Sequence, residues 1–260
     1  MNALLRFATL ASFAVALSSA PVLAQQNNSY EPSVGQPGKD VVWVPTSQTM
    51  VEKMLDMAKL TPKDYIIDLG SGDGRTVITA AKRGSKAHGI EYNPDMVELA
   101  QKRAKEAGVS DKATFAKADL FESDFSQAQV ITMFLLPSIN ERLRPKILEL
   151  KPGTRIVSNS FRMGEWQPDQ SETVTNECSS YCNALLWIVP AHVDGAWRLG
   201  NQDLTLKQDF QNLSGTLGTT QITNAKLDGA NISFTAGTTK YAGTIDGKNM
   251  KGSNWTATKK

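Results

Sequence analysis

The stretch that most constrains the fold is Tyr65–Arg75, YIIDLGSGDGR, where an apolar tripeptide runs into a turn with glycine at 70, 72 and 74. An apolar, β-branched run closed by such a turn predicts a strand buried on both faces. Three alternating glycines let the backbone bend tightly and approach a ligand without Cβ interference. The surrounding chain, Val41 to about Pro190, alternates helix and strand signals, the mark of a parallel sheet covered on both faces. A helix capped by Thr46 or Ser47 is predicted to run through Leu60. One from Arg75 to Arg83 ends at Gly84, and one capped by Asn93-Pro94 ends at Gly108. A last one opens at Ser138 and is expected to kink or divide at Pro145. Strands are expected at YIID, AHGIE, ATFAKAD, QVITMFLL and TRIVSNSF, followed by a hairpin, SETVTNE to NALLWIVPA.

Three ligand chemistries compete for the turn. A phosphate-binding P-loop needs Gly-Lys-Ser/Thr, whereas the order here is Gly-Arg-Thr, one residue too early. A dinucleotide loop needs a third small residue where Arg75 stands, and Asp73 would face a pyrophosphate of its own sign. S-adenosyl-L-methionine suits the turn better: it has no phosphate, and its ammonium and sulfonium are attracted by acidic groups. Asp68 at the strand's end is the candidate partner of that ammonium. Glu91 closes the second strand and can accept from ribose hydroxyls; Asp119 closes the third and can accept from the adenine amino group.

With these residues in order, Val41–Pro190 resembles the class I S-adenosylmethionine-dependent methyltransferases. DLGSGDGR is similar to their first motif, GIEYN to the ribose-binding acidic end and KADLF to the adenine-side motif. DVVWVPT, FLLPSINERLRP and PGTRIVSNSF are similar to a branch that includes small protein-lysine methyltransferases. The resemblance implies an α/β fold, a doubly wound, mostly parallel seven-stranded sheet. It also implies a cofactor site drawn from Asp68, Gly70, Ser71, Gly72, Asp73, Gly74, Glu91, Tyr92, Asp119 and Leu120, with Thr46 over the cofactor.

Methyl transfer needs donor and nucleophile held in line and kept dry, with no obligatory acid or base. The segment after the fourth strand, Phe134-Leu135-Leu136-Pro137, lacks the Asn/Asp-Pro-Pro-aromatic pattern common where an amide or base amine is the acceptor. Leu136, Pro137 and Asn140 are the candidate acceptor-side residues, facing a protein lysine or a small molecule. Trp43, Phe161, Trp166 and Trp187 are pocket or core aromatics. His88, inside a strand, and His192 are the only histidines, too few for histidine-based hydrolysis. With 28 Lys plus Arg against 26 Asp plus Glu, bulk charge does not favour a nucleic-acid partner.

The ends carry different signals. Arg6, an apolar run from Phe7 to Leu17 and Val22-Leu23-Ala24 form an export signal expected over 1–24. That run is short of the ~20 residues a membrane-spanning helix needs, and no later segment reaches it. A polar leader, 25–40, follows; location in the periplasm is the expectation, which leaves cofactor supply unexplained. Cys178 and Cys182 flank a three-residue turn and can close a small disulfide or stand as reduced hairpin cysteines; no zinc site is expected. Residues 191–260 alternate apolar and polar in short runs between Gly-bearing turns, predicting a small antiparallel β-domain, a meander or partial barrel. A methyltransferase fold that has lost activity and serves as an exported binding protein is the alternative reading.

Overall fold

The computed structural model describes residues 30–260, so the expected export signal and the first residues of the leader lie outside the described residues. β1 (Tyr65–Leu69) pairs in parallel with β2 (Lys86–Glu91) on one side and β4 (Val130–Met133) on the other. β3 (Ala113–Lys117) extends one side and β5 (Arg155–Asn159) the other. The chain then returns as β6 (Gln170–Thr173) and β7 (Asn183–Ile188), and β7 pairs antiparallel with both β5 and β6. The order is β3-β2-β1-β4-β5-β7-β6, seven strands. The strand order reverses next to β1, which opens a crevice at the carboxyl ends of β1 and β4.

Among the described residues, four helices cover the sheet. On one face α1 (Gln48–Met57), α2 (Arg75–Lys82) and α3 (Pro94–Glu106) bury Met50, Leu55, Val77 and Ala100 against Ile66 and Ala87. On the other, α4 (Pro137–Leu148) buries Leu143 and Ile147 against Ile67, Ile131 and Trp187. Ile66 and Ile67 thus serve opposite faces, as the strand period of two requires. Ser47 supplies the first cap, accepting from the Met50 amide at 3.3 Å, and α1 stops at Met57, short of the expected Leu60. α4 begins at Pro137, one residue before Ser138, and runs unbroken to Leu148. Pro145 does not divide it, because a proline in the last turn leaves few backbone bonds beyond it to lose.

β8 (Gly195–Leu199), β9 (Gln202–Asp209), β10 (Asn212–Leu217), β11 (Thr220–Asp228), β12 (Asn231–Ala236), β13 (Thr239–Asp246), β14 (Asn249–Gly252) and β15 (Thr256–Lys259) follow. Each pairs antiparallel with the next, and β15 closes on β8, giving an eight-stranded barrel. Closure removes the exposed edges an open meander of this length would present. Trp197, Leu204, Leu227, Ile232 and Phe234 fill its interior.

The barrel is fastened to the α/β sheet. The buried indole N–H of Trp166 donates to Gln211 Oε1 at 2.9 Å, and Phe210 stacks on the Trp166 ring at 5.7 Å. Gln211 Nε2 returns a bond to the Gln167 carbonyl, 2.9 Å. Gly229 lies so close to Gly153 that a Cβ there would stand 2.9 Å from the Gly153 Cα.

Candidate cofactor site

The glycine turn lies where the sheet opens. Gly72 sits at φ +51° with the Trp43 indole against it; a Cβ would meet the indole nitrogen at 2.7 Å. A side chain at 72 is therefore refused twice, by backbone conformation and by space. The pocket beyond is lined by Asp68, Gly70, Ser71, Gly72 and Asp73 from the turn, and by Glu91, Tyr92, Asp119 and Leu120 from the ends of β2 and β3. Met133, Phe134 and Leu135 after β4, and a strap from Gln36 to Thr46, complete the walls. Gly74 caps α2 beneath the pocket, its α-carbon packed toward Ala100 and Phe115.

The carboxylates stand in different electrostatic states. Burial pushes Asp68 up to about 7, partly opposed by hydrogen bonds from Thr132 and Thr76; the neighbouring charges of Glu91 and Asp73 push the same way as burial. The Thr132 hydroxyl donates to Asp68 Oδ1 at 2.7 Å. Glu91 is fixed at both oxygens by backbone donors, Gly72 N–H to Oε2 and Asn93 N–H to Oε1, each at 2.9 Å. Its remaining lone pairs are free for a diol. Asp119 accepts from the Phe121 amide at 2.9 Å and from the Lys39 ammonium. The Lys39 bond is the main cause holding its carboxyl below the ordinary value. Lys39 also stands 4.7 Å over the Tyr92 ring.

Asp73 departs from its expected part. It is 2% exposed and paired with Arg75 at 2.6 Å and Arg103 at 2.5 Å. Burial pulls this carboxyl upward, but the Arg75 hydrogen bonds and the two guanidinium charges outweigh that and leave it below its usual value. Its charge is neutralised inside the protein, bracing the turn against α3, rather than offered to a ligand cation. The acidic groups left to face a ligand cation are Asp68 and Glu91, while Asp119 is paired with Lys39 at the pocket's rim.

Thr46 lines the pocket, and its carbonyl accepts from Arg75 at 2.8 Å. Leu136, Pro137 and Asn140 fall outside the lining. Leu136 and Pro137 start α4 at the surface. Asn140 is fully buried, its amide donating to the Phe161 and Arg162 carbonyls at 3.3 Å each. Trp166 and Trp187 are core, while Trp43 lines the pocket. His88 meets the Thr114 hydroxyl at 2.8 Å, and burial lowers its pKa; it is a structural histidine. Sequence reasoning pointed to Thr46 and offered Trp43 as a pocket aromatic, but missed Lys39 and residues 36–40 of the strap, whose polar, Pro- and Gly-bearing composition reads as a leader. Among the described residues no cluster of three metal-ligating side chains occurs.

S-adenosylmethionine fits this lining. The Ser71 hydroxyl is buried with no protein partner, the glycine cradle is one a Cβ would fill, and the carboxylates repel phosphate while accepting from ammonium, diol and amine.

A parallel sheet with this strand order, a glycine cradle after β1 and acidic ends on β2 and β3 define a Rossmann-like methyltransferase. Residues 68–170 match the model of the ANTKMT methyltransferase domain. A protein-lysine N-methyltransferase of Saccharolobus islandicus is 45% identical over 133 residues, which cover 50% of this chain and 83% of that protein. The adenine nucleotide translocase lysine N-methyltransferase of Mus musculus is 37% identical over 130 residues. There the match covers 49% of this chain and 56%, little more than half, of the relative. A crystal structure of an RNA methyltransferase from Salinibacter ruber in complex with S-adenosyl-L-homocysteine shares 45% identity. It superposes with a TM-score of 0.54, covering 58% of this chain and 96% of that one. The chain belongs to the class I S-adenosylmethionine-dependent methyltransferases and is an enzyme of that class, so the reading as an inactive binding fold is set aside.

Proposed function

We propose that the acceptor is the side-chain amine of a protein lysine. The observation that carries this is the wall after β4: Phe134 and Leu135 line the pocket there and present an apolar surface that suits a lysine stem. The lysine-directed names of the Saccharolobus and mouse relatives support it. S-adenosylmethionine, when bound, supplies an electrophilic methyl group on a sulfonium. The protein's part is to bind and orient: Asp68 would hold the ammonium end, Glu91 the ribose hydroxyls and Asp119 the adenine amino group. The strap with Trp43 and Thr46 excludes water. In-line displacement at a sulfonium has no obligatory general base, and the attacking amine, once neutral, gives the proton it sheds on methylation to water.

The test is transfer of radioactive methyl groups by the purified protein into cell fractions, envelope included, followed by acid hydrolysis. Label recovered as Nε-methyl-lysine supports the reading. Label that ribonuclease releases favours RNA, the acceptor class of the Salinibacter protein's name, and would overturn it.

Export to the periplasm is part of the same proposal, supported by the Arg6–Ala24 pattern and by the bonded pair Cys178–Cys182. Among the described residues no helix is long and apolar enough to cross a membrane. A reporter enzyme active only after export, fused behind residue 24, checks this; a cytoplasmic signal would remove it.

A further inference from the structure

Beside the cofactor pocket three aromatic rings meet from three separate elements. Phe134 follows β4, Phe161 follows β5, and Tyr181 comes from the loop between β6 and β7 that the Cys178–Cys182 disulfide closes. Phe134 stands 5.9 Å from Phe161 and 5.1 Å from Tyr181, and Phe161 and Tyr181 are 5.8 Å apart. Phe134 is also a wall of the cofactor pocket. The group is half-open rather than core: Tyr181 is 44% exposed, and both phenylalanines keep surface.

The loops that carry these rings are held under strain. Ser160, Glu177 and Tyr181 have φ of 62°, 53° and 56°, three of the six non-glycine residues with positive φ among those described. All three lie in the two loops that carry Phe161 and Tyr181. Strain of that kind persists only where neighbours over-determine it. Here the neighbours are visible. The Ser158 hydroxyl donates to the Phe161 carbonyl at 2.7 Å, Asn140 donates to the same carbonyl, and the Ser160 amide donates to the Asn183 carbonyl at 2.7 Å. The Thr49 hydroxyl donates to Glu177 at 3.1 Å, tying the loop to α1. The disulfide confines the loop at the residue next to Tyr181.

Resting on the lysine reading, we propose that Phe134, Phe161 and Tyr181 form the recognition surface for the cationic amino end of the acceptor, with the Cys178–Cys182 bridge as the positioning device for Tyr181. Ring faces attract an ammonium and a methylated ammonium alike. The same faces favour the positive charge that builds on nitrogen as the methyl group arrives. A nucleobase would need a flat slot between parallel faces. The near-parallel pair, Phe134 and Phe161 at 19°, already stands in contact at 5.9 Å with no slot between, and Tyr181 lies tilted at 62° and 54° to them.

The experiment titrates the full protein, loaded with S-adenosylhomocysteine, with Nα-acetyl-Nε-trimethyl-lysine methylamide and with its neutral isostere carrying carbon in place of the quaternary nitrogen. The cationic probe is expected to bind roughly tenfold more tightly than the isostere. Tyr181→Ala should abolish that preference while S-adenosylhomocysteine affinity stays unchanged, and Tyr181→Phe should retain it. Cys178→Ser with Cys182→Ser, or reduction of the native bridge, should lower it severalfold. Equal binding of the two probes, no binding at millimolar concentration, or an unaltered preference in Tyr181→Ala would overturn the proposal. So would tighter binding of uridine or adenosine monophosphate on the same rings. A protein that failed to take up S-adenosylhomocysteine would instead bring down the cofactor reading.

Discussion

Asp68 sets the terms of the site at the scale of one residue. A carboxyl whose pKa is raised to about 7 from 3.8 is, when ionised, a destabilising group. Its sign is opposite to that of a salt-bridged aspartate. Stability is gained as pH falls through 7 towards 3.8 and withheld above 7. Asp68→Asn removes the buried charge while an amide oxygen remains for Thr132. Its melting temperature should exceed that of the parent at pH 8, by the equivalent of about 2–4 kcal/mol, and the gap should shrink by pH 5. The same substitution should weaken S-adenosylmethionine binding by about tenfold or more, since the ligand's ammonium loses its counter-charge. In the parent, affinity should fall roughly tenfold from pH 8 to pH 6 as Asp68 takes up a proton. A flat profile in calorimetry would detach Asp68 from the ammonium. Glu91→Ala should likewise cost about tenfold in affinity through the lost ribose acceptor. Asp68 and Glu91 were legible in the sequence because strand ends follow from local pattern. The fate of Asp73 was not, because Arg103, which helps to neutralise it, stands on a different helix and meets it only after folding.

Elements, rather than residues, explain what else the sequence withheld. Strand and helix order was legible from periodicity, caps and glycines, and so was the closing hairpin. What periodicity does not carry is which loops meet. The ends of β4 and β5 and the β6–β7 loop come together because β4, β5 and β7 are neighbours in the sheet, and that brings Phe134, Phe161 and Tyr181 into one group. Asn140, expected to face an acceptor, instead secures the backbone of one of those loops. The strap presents the same limit: Trp43 reads as an isolated aromatic until it lies on Gly72. Gly72→Ala tests that contact between turn and strap. It forces a left-handed φ on alanine at about 1–2 kcal/mol and pushes the Trp43 indole aside. The expected outcome is a modest loss in melting temperature with a larger, roughly tenfold, loss of S-adenosylhomocysteine affinity. If affinity survives, the strap does not close the site.

At the scale of the whole molecule, the β-domain's existence was legible but its closure was not, since pairing of β15 with β8 joins the two ends of the segment. The seam to the α/β sheet was equally hidden, and it decides whether the barrel is an appendage or part of the fold. Trp166 is fully buried, with Phe210 stacked on its ring and Gln211 accepting from its indole N–H. Arg144 stands 5.6 Å over the outer ring of that stack. Without the barrel the Trp166 indole loses its acceptor and much of its apolar contact, and α4, which carries Arg144, borders a gap. Gln211→Ala, which leaves one buried N–H unpaired, should cost about 1–3 kcal/mol. A chain ending at Pro190 should therefore melt well below the full-length protein and aggregate through the uncovered Trp166 face. The barrel would then be a structural half of the enzyme's scaffold, whatever its outer surface binds. Unchanged melting of the shortened chain, with cofactor affinity intact, would show two independent domains joined by a passive seam.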